Sequence, residues 1–508
     1  MESSIEIGAV SNRGKVAALI AGPLIALALF FILPDAYVNA AGDTVAFSTA
    51  ARACLAVTAW MAVWWFTEAL PIAATAMLPL VVYPLFGIAT PAATFSNYAN
   101  GTIFLFLGGF LIAAAIHRWH LDRRIALLTI RIFGTEPRRM VMGLMAATGF
   151  LSAWVSNTAT AAMMVPIAVA VMGVVRSAQP TEQIGEDEHK WGVGVLLSIA
   201  YAASIGGMAT LIGSPPNGIF ARFVEQTYGT EVSFFSWMKV GVPVTLILLP
   251  LTYLMLTRVL FKLDLPGIPG GRDWVTREIG RLGPMSRGER VVLAVFLLAA
   301  LLWIFGPAVR GLEVAGTTPF KPLTDEVIAM GAGLLLFMIP IDVKRGIHAL
   351  DWSSAKDVVA WDVLLLFGGG LTMAAAIQST GAASLIGAQA ALLAGTSEIT
   401  MMAGVATLVT FATEVTSNTA LAATMMPLIA AAAETLNTNP EGLLFATAIA
   451  SSCAFMMPVA TPPNAIVFGT GRLHIGEMIR AGILLNILGV IIVVACAVIF
   501  GGGLIPNA

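Results

Sequence analysis

Ser156–Pro166 reads SNTATAAMMVP, and 261 residues further along Ser417–Pro427 reads SNTALAATMMP. The same spacing of 261 relates Leu105–Ile116 (LFLGGFLIAAAI) to Leu366–Ile377 (LFGGGLTMAAAI). A third pair, Ser214-Pro215-Pro216-Asn217 and Thr461-Pro462-Pro463-Asn464, repeats after 247 residues. The shortfall is accounted for by a polar insertion near 177–192 that includes Glu186-Asp187-Glu188-His189-Lys190. Self-similarity at a fixed period is the mark of a duplicated architecture, so the chain reads as two copies of one unit.

Composition says where such a unit sits. Of 508 residues 58% are apolar and 11% charged, whereas a soluble chain carries about 25% charged residues. Uncharged runs such as 16–33, 291–309 and 481–508 are long enough to cross a bilayer as helices. The net charge of −2 leaves no basic footprint for nucleic acid. Cys54, Cys453 and Cys496 lie far apart in apolar surroundings, without metal-ligand or disulfide spacing. Arg13 and Lys15 before the first apolar run, with Val38-Asn39-Ala40 after it, resemble a signal peptide, but the length of the run favours a retained first helix.

The reading is an all-α polytopic membrane protein with eleven spans, at about 16–33, 51–66, 72–87, 102–117, 193–224, 239–260, 288–307, 325–340, 360–380, 442–468 and 479–503. Two hairpins, 138–176 and 397–435, enter the membrane without crossing it. Segments 118–139, 261–290 and 341–357 hold most of the arginines and lysines, and segments 34–50, 88–101 and 381–398 hold none. Cytoplasmic loops collect positive charge, which places the N-terminus in the cytoplasm and the C-terminus outside. The two copies then run in opposite orientations, as inverted repeats whose site lies where they meet. The division expected is residues 1–133 and 261–395 as scaffold parts and 134–260 and 396–508 as transport parts. Segment 118–133 is amphipathic and reads as an interfacial helix, with a counterpart near 345–360 that holds Trp352.

Each Ser-Asn-Thr tripeptide is a polar cluster inside an apolar stretch, and irregular backbone at membrane depth is tolerated only where protein packs it or a cavity receives it. Consecutive prolines break a helix, so Gly213–Asn217 and Ala460–Asn464 read as joints between half-helices. Half-helix N-termini offer N–H groups to an anion, and unwound carbonyls offer oxygens to a hard cation. No lysine, arginine or histidine lies near these four motifs. An anion there has to be balanced by bound cations and helix dipoles, and hydroxyls, amides and carbonyls without paired carboxylates suit sodium. Histidines 117, 120, 189, 348 and 474 lie at segment ends. Glu414 is the one acid beside a motif, and its counterpart is Ala153; it reads as a hydrogen-bonded structural residue rather than a proton carrier. Glu68 and Asp362 read as helix-end residues. An ion channel does not need two sealed hairpins, and an intramembrane enzyme needs a base beside its nucleophile.

With paired SNT tripeptides, a GSPPN loop and a TPPN loop in this order over essentially the whole chain, the sequence resembles the divalent anion/sodium symporter family, in its dicarboxylate branch. The resemblance implies eleven transmembrane helices, two re-entrant hairpins, an elevator-type movement, a homodimer in the lipid bilayer of a bacterial inner membrane, and no enzymatic activity. It implies that Ser156, Asn157, Thr158, Ser214, Ser417, Asn418, Thr419, Thr461 and Pro462 face the substrate. It places one Na+ at Ser152, Ser156, Asn157 and Gly213 and another at Thr413, Thr416, Asn418 and Ala460. The activity implied is sodium-coupled symport of succinate, malate or fumarate. A sodium-independent dicarboxylate exchanger and a sodium-coupled citrate or sulfate carrier are the alternatives within the family.

Overall fold

The structure, a computed structural model, describes residues 12–38, 44–177, 186–261, 271–314, 316–390 and 395–500. The candidate cleavage residues Asn39 and Ala40, Lys262 of the basic segment and the C-terminal residues 501–508 lie outside these. Helices dominate. Among the described residues seven are long and apolar enough to cross a bilayer, including Gly14–Ile32, Thr49–Thr67, Phe234–Leu260, Arg287–Arg310 and Ile475–Phe500. The span expected at 72–87 is divided at Met77 into Ile72–Ala76 and Leu78–Leu85.

Both hairpins form where their polar tips predict. The first consists of Pro137–Ser152 and Asn157–Ser177, the second of Glu398–Ala412 and Asn418–Thr435. In each case the turn ends at the Ser of Ser-Asn-Thr, and that serine accepts a hydrogen bond from the first turn of the second arm, from Ala159 N at 3.3 Å and Ala420 N at 3.4 Å. A serine in this position is the ordinary start of a helix.

The broken helices refine the reading of the proline pairs. Glu186–Gly207 is followed by Pro215–Tyr228, and Pro440–Ala450 by Pro462–Phe468. The prolines do not occupy the breaks; they open the second half-helices, where a missing N–H costs nothing because no intrahelical acceptor exists. The unwound segments lie just upstream, at 208–214 and 451–461.

The two halves interleave. The second half-helix of each copy packs against the second arm of the other copy's hairpin, Pro215–Tyr228 on Asn418–Thr435 and Pro462–Phe468 on Asn157–Ser177. The large apolar core runs through this region, with Trp191, Trp237, Phe220 and Phe445 fully buried. A second core joins Thr49–Thr67 and Leu78–Leu85 to Trp361–Ser379, around Trp65, Tyr83 and Met373.

Three features depart from the expected pattern. Two antiparallel ribbons interrupt the helices, Ala36–Val38 with Thr44–Ala46 and Pro340–Asp342 with Ile347–His348. The second ribbon takes up part of the expected interfacial helix near 345–360, which is reduced to Trp352–Val358. Its turn passes through Gly346 at φ 63°, a conformation that glycine alone adopts freely. Segments read as loops hold the helices Pro91–Ser96, Gly271–Leu282 and Ala382–Ala390. The helix expected at 118–133 is present as Leu121–Phe133, is amphipathic and packs against the first hairpin. Arg124, almost fully buried, pins it through Glu289 at 2.6 Å and the Gly283 carbonyl at 3.1 Å.

Candidate functional site

A cavity of about 920 Å³ opens where the hairpin tips and unwound segments meet. Its wall contains eleven of the fourteen residues expected at the site: Ser156, Asn157, Thr158, Gly213, Ser214, Ser417, Asn418, Thr419, Ala460, Thr461 and Pro462. Ser152, Thr413 and Thr416 are not part of that wall. Ser152 and Thr413 stand fully buried behind the two asparagines, and the Thr416 hydroxyl, in the turn between the arms, donates back to the Ala412 carbonyl at 2.8 Å. Ser156 likewise serves as a helix cap, apart from the oxygen cluster behind it.

In the first copy Ser152 Oγ donates to the Ala203 carbonyl at 2.7 Å. One polar atom of the Asn157 amide faces the Gly213 carbonyl at 3.1 Å, the Ala203 carbonyl at 3.0 Å and Ser152 Oγ at 2.6 Å. With nitrogen there, the amide donates to the carbonyls. With oxygen there, the same point gathers four oxygens from three segments, a donor set for a hard cation. The second copy repeats the plan: Thr413 Oγ1 lies 2.5 Å from Asn418 Oδ1 and 3.0 Å from the Ser451 carbonyl. Among the described residues no cluster of three His, Cys, Asp or Glu side chains is placed to hold a metal; the groups gathered in the two clusters are hydroxyl, amide and carbonyl.

The asparagines of the proline motifs hold the unwound backbone. Asn217 Nδ2 donates to the carbonyls of Gly207 at 2.9 Å and Thr210 at 2.7 Å, and Asn464 Nδ2 to those of Ala454 at 3.1 Å and Met457 at 3.0 Å. Both amide oxygens, Asn217 Oδ1 and Asn464 Oδ1, are buried without a protein hydrogen-bond partner. The Thr210 hydroxyl bonds the Ala153 carbonyl in the first hairpin tip and accepts from Gly213 N at 3.2 Å. Ser214 and Ser452 hydroxyls meet at 3.0 Å, joining the two unwound segments. Thr210, Ser451 and Ser452 were not legible as site residues. Their only signal is position, a few residues before a proline pair and at the end of an apolar half-helix.

Glu414 breaks the symmetry. Its carboxylate accepts from Phe455 N at 2.7 Å, Met456 N at 2.9 Å, Met457 N at 2.9 Å and Asn486 Nδ2 at 2.6 Å. Every partner is a donor, which fits an ionised carboxylate acting as acceptor only and the structural role read from the sequence. The charge therefore ties the second hairpin to the longer unwound segment, where the first copy has only Ala153.

Charge around the cavity is one-sided. Among the described residues no lysine or arginine lines it, whereas Glu68, Asp122, Asp357 and Asp362 do, together with His117, whose Nδ1 is 3.1 Å from Asp122 Oδ2. Glu68 and Asp362 are helix-end residues as expected, Glu68 as a C-cap at φ 47° and Asp362 in a first turn. Against this, the helices beginning at Asn157, Pro215, Asn418 and Pro462 all start in the cavity wall. Their partial positive charge attracts an anion, and the helices that begin at Asn157 and Asn418 add N–H groups of their first turns, which the two proline pairs lack.

Residues 24–505 match the family described as the sodium:sulfate symporter transmembrane region. The chain is 40% identical to a protein of Staphylococcus saprophyticus named sodium-dependent dicarboxylate transporter SdcS, over 95% of this chain and 91% of that one. It is 41% identical to the protein of the same name from Staphylococcus aureus strain USA300, over 87% and 84%. Its fold is similar to the crystal structure of the YdaH transporter of Alcanivorax borkumensis, with a TM-score of 0.55 at 14% identity, covering 96% of this chain and 97% of that one. With these apolar helices, this cavity and this match over nearly its whole length, the chain is an integral membrane protein and belongs to the divalent anion/sodium symporter family.

Proposed function

We propose that the chain is a secondary active transporter that moves C4-dicarboxylates such as succinate, malate or fumarate together with Na+ across a bacterial inner membrane. The observation that carries this reading is a cavity where two asparagine–hydroxyl–carbonyl clusters and four helix N-termini converge with no lysine or arginine among the described residues of its wall. A dianion there has no fixed counter-charge, so cations have to supply it. The names of the staphylococcal relatives support both the sodium dependence and the dicarboxylate.

Sodium held by Asn157, Ser152 and the carbonyls of Ala203 and Gly213, and by Asn418, Thr413 and the Ser451 carbonyl, neutralises the carboxylates from behind. Ser156, Thr158, Ser214, Ser417, Thr419, Thr461 and Pro462 contact them from the cavity wall. Without sodium the clustered oxygens repel one another and the substrate, so the empty tips bind the dianion poorly; this gives coupling. The chain reads as eleven spans and two re-entrant hairpins in inverted repeats, with the N-terminus cytoplasmic and the C-terminus outside. In that topology Glu68, His117, Asp122, Asp357 and Asp362, which line the cavity, fall on its cytoplasmic side. Residues 134–260 and 396–508 move as the transport part past a scaffold of 1–133 and 261–395, in a homodimer.

The test is reconstitution in liposomes and measurement of labelled succinate uptake with and without an inward sodium gradient. Sodium-requiring uptake without internal dicarboxylate supports the proposal, whereas uptake that needs internal dicarboxylate and ignores sodium replaces it with exchange. Asn157→Ala and Asn418→Ala are each expected to abolish uptake while the protein still elutes as a folded assembly; full activity in both removes the site assignment.

A further inference from the structure

A second cavity, of about 400 Å³, lies away from the transport site, between three elements that pack against one another: the interfacial helix Leu121–Phe133, the helix Gly271–Leu282 and the second arm of the first hairpin, Asn157–Ser177. Its floor is apolar, formed by Leu127, Met163, Ile167 and Trp274, and Ala170 borders it without filling it. Its rim carries two guanidiniums. Arg123 Nη2 donates to Glu278 Oε2 at 2.8 Å and Arg281 Nη1 to Glu278 Oε1 at 2.5 Å. The Glu278 side chain is 9% exposed, while those of Arg123 and Arg281 are 48% and 76% exposed. One buried carboxylate thus holds two arginines side by side and leaves a net positive charge at the rim. Each guanidinium has five N–H groups, of which Glu278 takes one apiece.

Neither the transport cycle nor the family match uses this cavity. Its volume falls in the range of small-molecule pockets, about 300–1,000 Å³, and its polarity is split: paired arginines above, aliphatic and indole surface below. That is the shape of an amphiphile with an anionic head. Guanidiniums take phosphate oxygens two at a time, and basic pockets beside membrane helices receive acidic lipid heads. Both flanking helices are amphipathic, and Gly271–Leu282 carries three arginines, at 272, 277 and 281.

We propose that this cavity binds an anionic phospholipid, its phosphate on Arg123 and Arg281 and an acyl chain over Trp274, Leu127 and Ile167. One wall belongs to the hairpin that carries Asn157 and the other two to helices outside it, so an occupant braces the hairpin against its surroundings and stabilises this arrangement. Binding depends on the cavity alone; that the lipid comes from the cytoplasmic leaflet rests on the topology proposed above.

The test is native mass spectrometry of the delipidated full-length protein in detergent, given equal phosphatidylglycerol and phosphatidylcholine, with thermal unfolding measured in parallel. The wild type is expected to retain phosphatidylglycerol preferentially and to melt higher with it. Arg123→Gln/Arg281→Gln should lower that preference about fivefold or more, whereas Arg272→Gln/Arg277→Gln, on the same helix but outside the cavity, should leave it unchanged. If the double variant does not fold, Arg281→Gln alone keeps Arg123 on Glu278 and is expected to give a smaller loss in the same direction. Ala170→Trp, which plugs the floor, should also remove the preference. Equal retention of the two lipids, equal losses in both arginine pairs, or the same thermal protection by inorganic phosphate alone overturns the proposal. Because none of these readouts involves transport, they stand apart from failure of the succinate assay.

Discussion

Replacing Glu414 by glutamine isolates the charge that holds the second unwound segment. The substitution keeps the shape of the side chain but converts one acceptor oxygen into a donor. If the remaining oxygen stays with Phe455 N and Asn486, the new NH2 faces Met457 N, which now donates to Glu414 at 2.9 Å. A hydrogen bond to a charged acceptor contributes about 1.5–3 kcal/mol, and leaving a buried donor unmatched costs about 1–3 kcal/mol. The expected destabilisation is thus about 2–6 kcal/mol, large against ordinary single substitutions, which centre near 1 kcal/mol. Asn486 shares the same carboxylate, so Asn486→Ala should be non-additive with Glu414→Gln by about 0.5–3 kcal/mol. Thermal unfolding in detergent reads the stability, and sodium titration of succinate uptake reads the site. We expect a clearly lower melting temperature and a higher sodium requirement, because residues 455–457 lie in the segment whose Ser451 carbonyl faces Thr413. Unchanged melting and unchanged sodium dependence would refute the view that this carboxylate anchors the loop.

Gly213→Ala should cripple uptake in a folded protein, since its Cβ would meet the Gly207 carbonyl oxygen at 2.5 Å and the Ala153 oxygen at 3.1 Å, both backbone that cannot step aside; the second copy carries Ala460 at this place, and Ala460→Gly should be mild by the same uptake assay. Asn464→Ala strips two donors from the carbonyls of Ala454 and Met457, and about 1–3 kcal/mol of stability should be lost per unmatched buried acceptor, measured by thermal unfolding. At the interfacial surface the Ser353 hydroxyl, the Ser354 N–H and Arg118 hold the Asp351 carboxyl well below the usual carboxylate range. A folded-state pKa below the unfolded one stabilises above the unfolded value, about 3.9, and that contribution fades as pH falls through the folded value; Asp351→Asn should therefore lower the melting temperature at pH 7 and cease to do so progressively below about pH 4.

Local chemistry is legible in one dimension. The duplicated Ser-Asn-Thr and Pro-Pro-Asn motifs are short, and their effects on the backbone are short-ranged: a serine starts a helix, and a proline cannot continue one. Hence both hairpins and both broken helices fall where the sequence places them, and eleven of the expected site residues line one cavity. The helix Gly271–Leu282 was hidden because its charges mark it as a loop when arginines are counted for sidedness, and the ribbon at Pro340–His348 was hidden because a two-residue pairing leaves no periodicity. Other features belong to the tertiary structure alone. That Ser152 and Thr413 stand behind the asparagines, that the carbonyls of Ala203 and Ser451 complete each oxygen cluster, and that Ser214 meets Ser452 across a sequence separation of 238 all depend on how the halves interleave. A carbonyl oxygen carries no side-chain identity, so no residue type announces it. The sequence by itself determined which backbone points break and which polar groups stand there; only packing of one copy's half-helices against the other's hairpins decided which oxygens converge, because convergence requires orientation, and orientation is a property of the assembled core.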